Sequence, residues 1–200
     1  MRRIDDLTEM AAREKGRLAS PALTTPARRS ITRTVRLLGQ EAARVRAEAD
    51  AVVAATAALA ADRDLLESIP GVGRPTATTL LAELRASPPY AAAPAAAAYG
   101  GLAPKEFQRG TSVKRRTRLS KAGNARLRKA LFLPTQTAVR FNPTLRSFFA
   151  SLTDPDRRGG GPKAKMQAIG ACMRKLVMIC YGVLKDRTPF DPNWGSRIAT

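Results

Sequence analysis

The sequence predicts a mainly helical protein, in which a long coiled-coil helix precedes a helical domain that contains a helix-hairpin-helix. Three observations support this prediction. Apolar residues recur at steps of three and four over residues 31–59 and again over 166–184, which is the spacing of one helix face. Between these segments, a turn rich in proline and glycine separates two short helical patterns. No stretch carries a strong β-strand signal.

The N-terminal region, residues 1–61, is predicted to form a short helix and a coiled-coil arm. The steps of four and three continue through four heptads, at Ile31, Val35, Leu38, Ala42, Val45, Ala49, Val52, Thr56 and Leu59. This pattern is typical of a coiled-coil seam or of a long helical hairpin arm, and it favours a homo-oligomer joined through the coiled coil. A single long helix packed on its own domain is the alternative.

The segment 65–84, LLESIPGVGRPTATTLLAEL, predicts two helices joined by a tight turn, the second starting at a proline that the first helical turn tolerates. Packing between them is assigned to four apolar residues: Ile69, Val72, Ala77 and Leu81. The backbone N–H groups of Gly71 and Gly73, with the helix N-terminus at Thr76, would bind a phosphate oxygen. A helix-loop-helix that serves only for packing is the alternative.

Positive charge is concentrated in the second part of the chain. The formal net charge is +19, of which residues 84–200 carry +17. The basic loop, residues 105–129, holds ten lysines and arginines and a single acid. Such a surface calls for a polyanion, and nucleic acid is the first candidate; a merely solvated basic face is the alternative. Phosphate contacts are predicted for Lys114, Arg115, Arg116, Arg118, Lys121, Arg126 and Arg128.

The predicted C-terminal domain, residues 62–190, continues with further helices before a tail at 191–200. Its segment 101–120 should be extended, and mobile unless bound. A helix after Asn124 should carry Leu127, Leu131 and Phe132 inward and Arg126, Arg128 and Lys129 outward, and Pro134 should kink or end it. The last helix should bury one apolar face, formed by Met166, Ile169, Met173, Leu176, Val177, Cys180, Tyr181 and Leu184.

The composition excludes several classes of site. The chain has no histidine, so histidine-dependent triads and zinc motifs are excluded. Cys172 and Cys180 lie about 12 Å apart along one predicted helix, which favours two free thiols in a reducing cytoplasm. No apolar run approaches the roughly 20 residues of a membrane span. We therefore expect a cytoplasmic protein that has no membrane partner and holds no metal.

Four segments together resemble a known family. They are IPGVGRPTATTLLAEL, then YGGLAPKEFQRGTSVKRRTRLSKAGNARLRKALFLP, then FNPTLRSFFASL and finally GGGPKAKMQAIGACMRKLVMICYGVLK. In this order they resemble the C-terminal transposase domain of the IS110 class of bacterial insertion-sequence transposases, over roughly residues 62–190. The RLSKAGNARLRKAL element beside the helix-hairpin-helix makes the resemblance specific. The preceding residues, 4–61, are similar to the coiled coil that links this domain to the rest of the transposase.

The resemblance implies a role in DNA transposition and recombination. Members of this family join an N-terminal RuvC-like domain, with four metal-binding carboxylates, to the C-terminal domain. A serine of the latter attacks a DNA phosphate under the guidance of a structured bridge RNA. The expected partners are thus DNA and a structured guide RNA in the bacterial nucleoid. Mg²⁺ is expected only together with a RuvC-like domain, and no cofactor is expected in this chain.

The sequence departs from the family pattern at the nucleophile. The aligned residues read Gln108-Arg109-Gly110-Thr111-Ser112, so Arg109 occupies the serine position, and a guanidinium stays protonated. Ser112 is the surrogate candidate for catalysis. No acidic tetrad is visible, so the predicted function is that of a truncated transposase-family DNA-binding protein, and the sequence leaves open whether it cleaves DNA. The alternatives are a competent recombinase fragment and a non-enzymatic nucleic-acid-binding protein associated with the ribosome or the nucleoid.

Overall fold

The computed structural model describes residues 1–85, 91–109, 113–156 and 161–193, with residues 106–109 and 113–117 described by their backbone alone. This part of the chain contains eight α-helices and one two-stranded sheet, so the predicted mainly helical fold is confirmed. The chain divides into two compact units, residues 1–60 and 61–200. In chain order, the elements are α1 (Arg2–Arg17), α2 (Thr25–Ala55), α3 (Ala57–Glu67), α4 (Arg74–Arg85), α5 (Ala93–Tyr99), β1 (Pro104–Arg109), β2 (Val113–Leu119), α6 (Ala125–Phe141), α7 (Pro143–Thr153) and α8 (Lys165–Asp186).

The first unit is built on contact between α1 and the 31-residue helix α2. Thr24 caps α2, since its hydroxyl accepts a hydrogen bond from the Ala27 N–H at 3.4 Å. The predicted seam faces inward in part: Ala42 is buried, and Ile31, Val35 and Leu38 are half-buried. Its continuation to Leu59 in one helix is wrong, because α2 ends at Ala55 and the backbone becomes extended at Thr56. The homo-oligomer stays a prediction.

The second unit begins with the predicted pair of helices. α3 and α4 are joined by residues 68–73, and Pro75 lies in the first turn of α4. All four residues assigned to their packing are buried (Ile69, Val72, Ala77 and Leu81), but α4 packs mainly on α6 and not on α3 as predicted. The sequence signal was strong here because turn chemistry and apolar spacing agree over a short segment.

Helix α8 supplies a central part of the second unit's core. It contacts α5, α6 and α7, and its buried residues include Ile169, Leu176 and Val177. Met166, predicted to be buried, is 64% exposed because it lies in the first turn of the helix, beyond the packed face. Contrary to expectation, α8 is long and apolar enough to cross a membrane by length and composition, although its packed face belongs to the core.

Two local predictions are corrected in part. The segment 101–120 was predicted to be extended, and β1 and β2 confirm this, but their pairing as an antiparallel hairpin was not predicted. Pro134 does not end its helix, since α6 continues to Phe141. The cost of a proline within a helix is offset there by packing, because Leu131, Thr135 and Ala138 around it are all buried.

The two cysteines are free, as predicted, and both are buried, although burial was predicted for Cys180 alone. Burial raises the pKa of the Cys172 thiol to about 11 and that of the Cys180 thiol to about 12, from an ordinary value of 9.0. The protonated thiols therefore make their full contribution to the free energy of unfolding below pH 9.0, and this contribution is lost as the pH rises through 11 for Cys172 and 12 for Cys180.

We expect the free energy of unfolding to fall by up to about 1.4 kcal/mol per thiol for each pH unit above the ordinary thiol pKa. Urea unfolding at pH 8 and at a pH near 10.5 measures this fall. A Cys172→Ala, Cys180→Ala variant is the control, because tyrosines and lysines also titrate in this range. An equal fall in the variant and the natural sequence would contradict the assignment.

Candidate nucleic-acid interface

The centre of the basic loop is a β-hairpin. In its register Lys105 pairs with Arg118 and Gln108 pairs with Lys114, while Arg109 and Val113 face each other where the two strands are connected. The register shifts between Lys105 and Phe107, which leaves two residues of β2 against one of β1. Such a bulge twists the strands locally. Pairing thus gathers the charges of two segments on one narrow ribbon.

The base of this hairpin is fixed to the second unit. Beyond the strands, the N–H of Ser120 donates to the carbonyl of Ala103 at 2.9 Å, and that of Lys121 donates to Gly101 at 3.0 Å. Leu119 packs on α8 at Gly170, where an added Cβ would come within 3.0 Å of the leucine side chain. A defined base holds the ribbon at one place on the unit.

A polar cluster sits behind the base, and we call it the Asn124 cluster: Glu83, Tyr99 and Asn124. The Asn124 amide Nδ2 lies 2.6 Å from Glu83 Oε2 and 2.9 Å from Tyr99 Oη. Its Oδ1 accepts hydrogen bonds from the backbone N–H groups of Arg126 and Leu127 at 3.0 and 3.1 Å, which caps α6. One side chain therefore joins α4, α5 and α6 while starting α6.

The loop leading into Asn124 depends on two glycines. Gly101 and Gly123 have φ values of +66° and +132°, in the region that favours glycine. A Cβ on Gly123 would collide with the carbonyl oxygen of Tyr99. The same carbonyl accepts the Asn124 N–H at 2.6 Å. This geometry gives a physical reason for the sequence Lys121-Ala122-Gly123-Asn124.

The predicted phosphate-binding residues have different environments. Arg118 and Lys121 are exposed. Arg128 was expected to point outward, but it is half-buried and donates to the carbonyl of Gly100 at 2.9 Å. The Arg126 side chain is 35% exposed and lies 4.0 Å from Glu83 Oε1. Ser112 lies outside the described residues, as do the side chains of Arg109, Lys114, Arg115 and Arg116.

The turn between α3 and α4 places its two glycines differently. Gly71 has a φ of +102°, and a Cβ there would come within 2.6 Å of the backbone nitrogen of Ala138 in α6. Gly73 is exposed, with open space where a Cβ would stand. Thr76 is half-buried in the first turn of α4. Of the two glycines, Gly73 is thus open to a ligand at the position of its missing side chain, whereas Gly71 packs against α6.

Ion pairs tie the same helices to the end of α8. Buried Asp62 in α3 lies 2.5 Å from Arg85 Nη2 in α4 and 2.9 Å from Arg187 Nη1, just beyond α8. Further along, the N–H of Phe190 donates to Ser68 Oγ at 2.8 Å. The chain after α8 therefore helps to hold the α3–α4 turn.

The family resemblance implies Mg²⁺ only together with a RuvC-like domain, and carboxylate oxygens would have to hold such an ion. Across residues 1–85, 91–109, 113–156 and 161–193, no group of three or more Asp, Glu or Cys residues could hold a metal ion. The buried carboxylates Asp62 and Glu83 are engaged instead with arginine and asparagine side chains. These residues do not fit a Mg²⁺ ion.

Residues 63–150 match the model of the Transposase IS116/IS110/IS902 family, and over this segment the chain is similar to the transposases of that family.

Curated relatives agree. The chain is 36% identical over 129 residues to the pilin gene-inverting proteins of Moraxella bovis and Moraxella lacunata. It is 29% identical over 127 residues to an insertion element IS110 uncharacterized 43.6 kDa protein of Streptomyces coelicolor. Each match covers 64% of this chain, but only 38% of the two Moraxella proteins and 30% of the Streptomyces protein. The chain thus spans well under half of these relatives.

Proposed function

We propose that this chain binds the sugar–phosphate backbone of insertion-sequence DNA, and of a structured guide RNA, as the nucleic-acid-binding part of a transposition and recombination system. The basic hairpin is the observation that carries the proposal. Its strands bring Lys105 and Arg118 into register, and the flanking loop leaves Lys121 exposed. Phosphate groups would offset the repulsion between these charges.

The anchoring of the hairpin supports a binding role. Backbone hydrogen bonds at Ser120 and Lys121 and the contact of Leu119 with Gly170 hold its base in one place. A charged ribbon that is already positioned loses less conformational entropy on binding than a free loop. In this proposal the half-buried arginines, Arg126 and Arg128, act first by forming the base of the hairpin. Among the lysines and arginines predicted to contact phosphate whose side chains the structure describes, only Arg118 and Lys121 are exposed.

The proposal assigns no strand-cleavage step to this chain. Arg109 stands where the family resemblance places a serine, and its guanidinium cannot act as a nucleophile. The described carboxylates do not form a metal site. Gly73, at the exposed edge of the α3–α4 turn, would add a backbone N–H donor to phosphate, in keeping with a helix-hairpin-helix.

Neutralising the hairpin should weaken binding strongly. We expect a variant with K114Q, R115Q, R116Q and R118Q to lower the slope of log K against log salt by about 0.9 for each phosphate that is no longer neutralised on duplex DNA, and by about 0.7 on single strands. Fluorescence anisotropy titrations with a duplex DNA and with a structured RNA, at about 50 to 200 mM salt, measure this slope.

The matched control removes four charges elsewhere, with R13Q, K15Q, R17Q and R44Q. It should retain the slope of the natural sequence, because three of its arginines already pair with glutamates. Binding by the natural sequence that does not change with salt would refute the proposal, and so would an equal weakening of binding in both variants.

A further inference from the structure

The first half of α2 carries a second, separate concentration of positive charge. Residues 25–40 include four arginines and no acid, whereas the remainder of α2 contains Glu41, Glu48 and Asp50. All four arginines are exposed. Three of them, Arg29, Arg33 and Arg36, we call the arginine face; the fourth, Arg28, donates to the carbonyl oxygen of Leu18 at the end of α1, at 3.1 Å.

Helical geometry places this face away from the helix contact in the first unit. At 3.6 residues per turn, Arg29, Arg33 and Arg36 fall within an arc of about 60°. The centre of that arc lies about 160° from the face of the half-buried residues that pack toward α1, which are Ile31, Val35 and Leu38. The arginines are therefore not needed for packing between α1 and α2.

Other arginines of the same unit have a structural use for their charge. Arg13 pairs with Glu9 at 2.6 Å, Arg17 with Glu14 at 3.1 Å and Arg44 with Glu41 at 2.8 Å. The arginine face has no carboxylate of its own within residues 25–40. Its positive potential is reinforced by the N-terminus of α2, whose partial positive charge lies one turn before Arg28 and Arg29. This pattern favours an anionic ligand.

We infer that the arginine face binds the sugar–phosphate backbone of a nucleic acid, so that one chain holds nucleic acid on its first unit as well as on its hairpin. The inference rests on the proposed function and extends it to residues outside the matched domain. From Arg29 to Arg36 the helix rises about 10.5 Å, close to three base-pair steps of a duplex at about 3.4 Å each. Planar guanidinium groups also suit paired contacts to phosphate oxygens.

The test uses the full chain with R29Q, R33Q and R36Q. Anisotropy titrations with a duplex DNA and, separately, with a structured RNA should show a lower salt slope. For each phosphate that is no longer neutralised, the slope should fall by about 0.9 on the DNA, or by about 0.7 on single-stranded RNA segments. That corresponds to roughly eightfold weaker duplex binding per phosphate at 0.1 M salt. The control removes the same number of charges, with R13Q, R17Q and R44Q, and should keep the slope.

Further arms separate the outcomes. A charge-preserving variant, with R29K, R33K and R36K, should retain most of the slope, and circular dichroism should show that all variants keep their helices. Loss of binding to only one probe supports the inference and identifies that nucleic acid as the ligand. Unchanged binding to both probes overturns it. A change in oligomeric state by sedimentation, with the slope retained, also overturns it in favour of contact with a second copy.

The measurements distinguish a failure of the inference from a failure of the proposed function. If the hairpin variant loses binding while the arginine-face variant does not, the inference is wrong and the proposed function stands. If the arginine-face variant alone loses binding, the hairpin is not the binding site. Salt-independent binding of the natural sequence removes both.

Discussion

Replacing Gly71 with alanine should destabilise the second unit by about 3–4 kcal/mol. The positive φ alone costs an alanine about 1–2 kcal/mol, and the added Cβ would lie 2.6–2.7 Å from the backbone nitrogen and Cα of Ala138. Since those are backbone atoms of a helix, they cannot move aside as a side chain could, and overpacking adds about 1–3 kcal/mol. Urea unfolding followed by circular dichroism measures the change.

Gly73→Ala is the matched control, two residues away in the same turn. No atom stands within 4 Å of its added Cβ, and Gly73 does not have a positive φ. We expect it to be neutral or to stabilise by about 0.5 kcal/mol, since alanine restricts the unfolded chain. Adding Ala138→Gly to Gly71→Ala should rescue only part of the loss, because the backbone atoms of residue 138 remain. Equal effects of the two glycine substitutions would show that Gly71 does not pack against α6.

Replacing Asn124 with alanine should cost about 3 kcal/mol. The loss of the cap of α6 accounts for about 1 kcal/mol. The remainder comes from Glu83, which would keep a buried carboxylate without the amide that donates to it at 2.6 Å. Urea unfolding again gives the measurement, and Thr24→Ala, which removes the exposed cap of α2, should cost at most about 1 kcal/mol.

Two further variants divide the effect of Asn124. Aspartate at this position can still cap α6 but has no amide to donate to Glu83, so Asn124→Asp should remain strongly destabilising. In a Glu83→Gln background, Asn124→Ala should cost less, because no carboxylate is left buried. An Asn124→Ala change close to that of Thr24→Ala would mean that the cluster contributes only its cap.

Local sequence signals were sufficient to predict several elements of the fold. The α3–α4 turn could be predicted because prolines, glycines and apolar spacing agree within twenty residues. At the start of α7 stand a capping asparagine, Asn142, which accepts the N–H of Leu145 at 3.2 Å, and a proline in the first turn, Pro143, both of which are local signals. The apolar face of α8 was readable because its buried residues follow one helical period.

The missed features depend on distant parts of the chain. β1 and β2 are rich in lysine and arginine and lack a regular alternation, so their pairing was not visible in either segment alone. The partners Glu83 and Asn124 are 41 residues apart. Asparagine before a helix is a readable capping signal, but nothing near Glu83 indicated that its carboxylate is buried. Pro134 does not end α6, as one form of the prediction had it, because the packing of the helix outweighs the effect of this local helix breaker.

The attachment of the segment after α8 also bears on how the protein can be shortened or fused. Arg187 forms an ion pair with Asp62 in α3, and the backbone N–H of Phe190 donates a hydrogen bond to Ser68, the residue after α3. A chain shortened to end at Asp186 would lose one counter-charge of Asp62 and the hydrogen bond to Ser68. We expect this loss to destabilise the α3–α4 turn that contains Gly71 and Gly73. Tags and fusion partners are therefore best joined downstream of residue 190, where both of these contacts are kept.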